Sequence, residues 1–173
     1  MPSLMSQAIL GRKNIVSDTA QLGQQALFQD MDFNAVRPTL LSCMEVRAIL
    51  VENDSGAAMV AGRGYTFKSA LLGTKIGALS GANLVVDGIC DPFLSQTVAI
   101  GETCWLIIGG PTRVLIGSGG QTANGVVQSL ASGLFGTGTA GTNPIGHCGR
   151  AMVAGTDTNL CRVLLNNPFR AVI

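Results

Sequence analysis

Charge is what this sequence has least of. Lys, Arg, Asp and Glu make up 12% of its 173 residues, where average globular chains carry roughly 25%. A soluble monomer normally covers itself with those four residues, so a chain so poor in them is expected to bury surface against a partner. The formal charge of +1 comes without a basic block or an acidic tail. Nucleic-acid binding needs a basic face that displaces counterions from phosphates, and no stretch supplies one. Long hydrophobic runs are missing too. Apolar residues reach 47%, yet Gly, Ser, Thr, Asn and Pro interrupt them short of the roughly 18–20 residues that a membrane helix needs. The start, MPSLMSQAILGRKN, carries its charges after its short apolar patch, the reverse of a signal peptide. A soluble intracellular product with no nucleic-acid or membrane partner is expected.

Catalytic and metal-binding groupings are also scarce. Cys43, Cys90, Cys104, Cys148 and Cys161 stand singly, with no CxxC pair, which speaks against a disulfide framework and a zinc site. Buried free thiols acting as small hydrophobes are expected instead. His147 is the only histidine, so a Ser–His or Cys–His pair would have to use it, and on a strand its neighbour Cys148 points the other way. GTGTAG at 136–141 matches the glycine spacing of a dinucleotide loop but is followed by Thr-Asn-Pro, a turn, where a helix is required. GSGGQT at 117–122 lacks the Lys of a phosphate loop and reads as a turn. Asp30 with Asp32, and Glu52 with Asp54, are spaced two apart, but neither stretch adds the further oxygens a calcium site takes. Asp87 and Asp91 flank a stretch that reads as a turn. No catalytic residue, metal or cofactor is assigned, and the chain is not expected to be an enzyme.

What is present is β pattern. In MEVRAILVE, Val46, Ala48 and Leu50 point one way while Glu45, Arg47 and Ile49 point the other. ANLVVDGIC, QTVAI, TCWLII, TRVLI and LCRVLLN continue as short strands between Gly-rich turns, with NGVVQSL and IGHCGRAMV less regular. Such spacing predicts an all-β domain, a compact barrel or sandwich, over residues 41–173. Residues 1–40 differ: they hold isolated apolar side chains and several glutamines, and Ser17-Asp18 suits the cap of a short helix through AQLGQQALF. This segment is expected to be an extended arm that orders on another surface.

Two features ask for a role. Trp105, the only tryptophan, lies in TCWLII with both strand faces largely apolar, as in a strand buried on both sides. Gly109-Gly110-Pro111 is expected to turn the chain so that TRVLI pairs back as a hairpin. Trp105 and Ile107 then belong either to the core or to a subunit interface, where aromatics are favoured. Between Arg113 and Arg150 lie 36 residues without a formal charge, ten of them glycine. Within them SGLFGTGTAGTNPIG reads as a long loop, whose Leu134 and Phe135 are candidates for a contact surface.

The order of these blocks (MEVRAILVENDSGAAMVAGRGYTFK, GANLVVDGICDPFL, GETCWLIIGGPTRVLI, a Gly/Ala/Thr-rich span, then IGHCGRAMVAGTDTNLCRVLLNNP) resembles the head decoration, or cement, proteins of tailed bacteriophages over roughly residues 42–167. The resemblance implies a compact, β-tulip-like domain that forms a homotrimer. It implies a place on the outer capsid surface of the virion, after synthesis in the host cytoplasm, bridging neighbouring major capsid proteins. On that expectation Leu4, Ile9, Leu10, Phe28 and Phe33 anchor the arm on neighbours, while Arg12, Lys13 and Arg37 meet acidic capsid residues. Deleting residues 1–30 would then abolish capsid binding without unfolding the β domain. A tail or fibre module, a carbohydrate-binding sandwich, and a hydrolase built on His147 are the alternatives.

Overall fold

The computed structural model describes residues 10–14, 21–32, 36–37, 39–138 and 146–166. Ten strands run in chain order: β1 (Gln25–Asp32), β2 (Thr39–Asn53), β3 (Gly64–Phe67), β4 (Lys75–Leu79), β5 (Gly88–Cys90), β6 (Thr103–Leu115), β7 (Val126–Ser129), β8 (Phe135–Thr137), β9 (His147–Ala151) and β10 (Leu160–Leu165). The fold is all-β, and no α-helix occurs among the described residues.

The strands make two layers that share β6. Hydrogen bonding runs β2-β4-β3-β5-β6, and β6 returns to β2, so these five close a ring. Val51, Tyr65, Ile76, Cys90 and Leu106, one from each strand of the ring, meet in a single buried cluster inside it. The second half of β6 continues into β10, β9, β7 and β8. A second cluster lies between this sheet and the outer wall of the ring, joining Leu50, Trp105 and Ile107 to Val127, Phe135 and Val163. The alternation of β2 sorts as its sequence predicts, with Val46, Ala48 and Leu50 in one cluster and Ile49 in the other.

The sharing of β6 depends on the stretch expected to turn. Gly109-Gly110-Pro111 is no hairpin turn: Thr103–Leu115 is one strand of 13 residues. Its pairing to β2 shifts register between Arg47↔Gly109 and Ala48↔Ile107, a one-residue bulge on β6. Gly110 follows with φ +84. Before this step the odd-numbered Trp105 and Ile107 face the interlayer cluster, and after it the even-numbered Val114 and Ile116 do. The strand therefore changes partners and faces here. Leu115, four residues beyond Pro111 and of the same parity, donates its N–H to the Gly62 carbonyl and not to β10. By alternation the N side of Pro111 also faces away from β10, so no ladder bond is lost.

The N-terminal segment departs from the expected arm. Residues 25–32 form no helix but the strand β1, paired antiparallel with β2 from Gln25↔Ile49 onward. The segment lacks a helical apolar stripe, whereas the alternation of Ala26, Phe28 and Asp30 with Leu27 and Gln29 matches a half-buried strand. Residues 10–14 are docked as well. Lys13 makes a bridge to Cys104, and the Asn14 N–H donates to the Thr103 carbonyl over 2.8 Å. Among the shorter blocks, ANLVVDGIC contributes only Gly88–Cys90, and QTVAI only an isolated bridge of Val98 to Met59. Asp87 and Asp91 flank β5, and Asp91 also opens a turn, its carboxylate accepting the Phe93 N–H and its carbonyl the Leu94 N–H.

Candidate functional site

The expected arm anchors divide three ways. Leu4, Ile9 and Phe33 lie outside the described residues. Leu10 and Phe28, expected to insert into a neighbour, are buried in this chain's own interlayer core. Phe28 meets Trp105 edge-on, ring centroids 5.3 Å apart at 74°. Lys13, expected to meet a capsid acid, donates instead to Glu102 at 2.8 Å. Arg12 and Arg37 are exposed. Deleting residues 1–30 would therefore strip Leu10 and Phe28 from the core, and it cannot separate arm from fold. Trp105 and Ile107 are core, and so is Phe135, which was a candidate for a contact surface; all three are buried. Leu134 is half-buried beside a short 3-10 turn at Ala131–Gly133.

Phe28 is held over Trp105 by a cluster that the sequence left as separate charges. Arg162 of β10 and Arg113 of β6 are direct cross-strand partners, an arrangement that repulsion disfavours. Asp30 and Asp32, two apart on β1 and so on one face, answer both. Arg162 pairs with Asp30, and Arg113 with Asp32 at 3.0 Å. Ser42 donates its hydroxyl to Asp30 at 2.5 Å, and the Arg113 guanidinium lies 5.2 Å from the Phe93 ring centre. The two carboxylates once weighed for calcium thus fasten β1 across the β6–β10 ladder. Glu52 and Asp54 are likewise paired, to Lys75 at 2.7 Å and to Lys68 at 2.6 Å.

Asp91 fastens the N-terminal segment from the other side. Its carboxylate accepts the Gly11 N–H at 2.5 Å and the Phe93 N–H at 2.9 Å. Burial raises its pKa to about 6, although those two hydrogen bonds pull the other way. The folded state therefore holds the proton more tightly than the unfolded chain, whose value is 3.8. Between those two values stability falls as pH rises, and above about pH 6 the full cost of ionising a buried carboxyl is present. Urea midpoints of the wild type and Asp91→Asn, compared from pH 4 to 7, check this. The wild type is expected to lose stability relative to the variant across the window, and parallel curves contradict it.

The remaining candidates are placed by strand geometry. His147 and Cys148 alternate along β9, and Cys148 is the buried one. Its thiol lies 3.5 Å from the Val127 carbonyl, with burial pushing its pKa up to about 12. A thiolate nucleophile is strongly disfavoured there. Trp105 and Tyr65, the only tryptophan and tyrosine, are buried and offer no stacking face to a sugar. Cys43 is exposed, unlike the other four cysteines. Among the described residues no three His, Cys, Asp or Glu side chains cluster as a metal site, and no helix is long and apolar enough to cross a membrane.

No protein-family model matches the chain, and no curated protein matches it in sequence. A solved structure does. The chain superposes on the crystal structure of the head fiber gp8.5 N base of bacteriophage phi29 with a TM-score of 0.52. The match covers 69% of this chain and 92% of the phage protein, at 12% sequence identity. At that identity the likeness is one of fold. It shows that nearly the whole of the phage base domain has its counterpart in this β architecture.

The sequence reading missed the Asp30–Arg162 and Asp32–Arg113 pairs, although Asp30 and Asp32 carried the signal of two acids on one strand face. It also missed Leu27, Leu40 and Met44, which are exposed on β1 and β2. Their alternation was readable, but not which face the fold would leave open.

Proposed function

We propose that the chain is a structural, non-enzymatic protein of a phage virion, seated as a homotrimer on the outer capsid surface. There it bridges neighbouring major capsid proteins and stabilises the shell. The observation that carries this reading is the fold shared with a phage head fiber base over 92% of that protein. The block order resembling phage cement proteins supports it independently. The chemistry of the role needs little more than surface. Burying apolar area contributes roughly 25 cal/mol per Å² before association costs, and many symmetric copies multiply a modest gain per site. Arg12, within the docked segment 10–14, and Arg37, both exposed, are the cations offered to acidic capsid residues. The same neighbour favours a second reading, a base module that carries a fibre on the head, which a few copies per particle would mark.

The arm is tested by a chain beginning at Leu10, which keeps Leu10, Phe28 and Asp30 in place. It is expected to unfold in urea within about 1 kcal/mol of the full chain, since no described residue of either buried cluster is removed, and to lose binding to capsids stripped of this protein. Normal decoration by the truncated chain overturns the role of residues 1–9.

A further inference from the structure

The ladder between β1 and β2 breaks at Asp30, and a small polar cavity lies beside the break. Gln29 pairs with Glu45 and Met31 with Leu40, so residues 41–44 of β2 stand opposite Asp30 alone. Such a bulge interrupts pairing and bends the strand locally. The cavity has a volume of about 10 Å³, close to the least that holds one water molecule. Leu41, Val46 and Phe93 give it apolar walls, and Asp30, Thr112 and Arg162 give it polar ones. It thus lies where β1, β6 and β10 meet.

The polar walls have hydrogen-bonding capacity left over. Thr112 is 7% exposed, and its hydroxyl is buried with no partner among the described residues. The Arg162 Nε–H is buried without an acceptor as well, because the pair with Asp30 uses Nη2. Both hydrogen bonds that reach Asp30, from Ser42 and from Arg162, fall on Oδ2, which leaves Oδ1 able to accept. Buried groups of this kind are costly to leave unpaired. Charge decides what pairs with them. Asp30 and Arg162 neutralise each other, as do Asp32 and Arg113 beside them, so no net charge remains to hold an ion. The space suits a small neutral molecule that both donates and accepts, which is water.

We propose that the cavity beside the β1–β2 bulge is a built site for one ordered water, which accepts the Arg162 Nε–H, hydrogen-bonds the Thr112 hydroxyl and donates to Asp30. Three partners is the usual number for a buried water. The water joins β1, β6 and β10 at one point, and so adds to the ion pairs that fasten β1 across the β6–β10 ladder. It requires neither a capsid nor a second copy, and is independent of the proposed function.

The test uses the full chain alone, isotope-labelled and in solution. Magnetisation transfer from water to the Arg162 Nε–H is recorded in the rotating frame, where contact with a held water and simple proton exchange give opposite signs. The wild type is compared with Thr112→Val, Thr112→Ser and Thr103→Val. The last removes another buried hydroxyl without a partner, one that does not line the cavity. The wild type, Thr112→Ser and Thr103→Val are expected to show the contact signal, and Thr112→Val to lose it. A wild type without the signal overturns the site, and so does a signal that survives in Thr112→Val. A wild-type signal that added bromide displaces means an anion, which overturns the assignment to water. Should Thr112→Val fail to fold, a high-resolution crystal map of the wild type decides. One peak within hydrogen-bonding distance of both Thr112 Oγ1 and Arg162 Nε supports the site, and no peak there overturns it.

Discussion

Replacing Gly110 by alanine is expected to destabilise the fold by about 2–5 kcal/mol, combining left-handed strain with a backbone clash. The residue sits at φ +84, where a side chain strains the backbone by about 1–2 kcal/mol. A Cβ built there would also lie 2.1 Å from the Glu45 carbonyl oxygen. That atom belongs to β2, so relief requires moving a strand, and overpacking of this kind costs about 1–3 kcal/mol more. Gly119 is the internal control. It has φ +97 with nothing within 4 Å of its Cβ position, so alanine there meets only the backbone strain. Urea unfolding of the two variants measures the difference. If Gly110→Ala costs no more than Gly119→Ala, then Gly110 is not where β6 passes from ring to second sheet.

Trp105→Ala is expected to cost about 3–5 kcal/mol, as for other large aromatics removed from a core. The indole fills the interlayer space against Phe28, and the edge-on geometry adds about 0.5–1.5 kcal/mol to the area it buries. A double-mutant cycle with Phe28→Ala isolates that part, because the rings touch and their losses should not add. Trp105→Phe is the milder variant. The indole Nε1 is buried without an acceptor among the described residues, so phenylalanine gives up volume while removing an unsatisfied donor. The same experiment checks the core placement of Trp105. A core tryptophan changes the unfolding midpoint of the isolated chain, whereas an interface tryptophan would leave it unchanged and weaken only association.

What the sequence showed, and what it hid, divides along the range of the interaction concerned. Alternation in MEVRAILVE and TCWLII placed Val46, Ala48, Leu50 and Trp105 correctly, because side-chain direction along a strand is a local property. The identity of each strand's partner is not local. Gly-Gly-Pro reads as a turn by its own chemistry, and only the approach of β2 at Glu45, more than sixty residues away, makes it a crossing point. Phe28 and Leu10 misled for the same reason. Isolated apolar residues in a glutamine-rich segment suggest an arm, and nothing near them in sequence announces Trp105 or the Arg113–Arg162 pair. Arg12 and Arg37, expected to meet acidic capsid residues, are exposed. That Leu27, Leu40 and Met44 stay exposed on β1 and β2 depends on where the sheet ends, a property of the whole topology.

Quantitative mass spectrometry of gradient-purified particles from the source of this sequence, giving copies of this chain per major capsid protein, tests the central claim most directly. A shell component that bridges capsid subunits predicts a ratio near one or a simple fraction of it. A trace ratio, or no copies at all, contradicts capsid bridging; a few copies per particle would leave the fibre-base reading in its place.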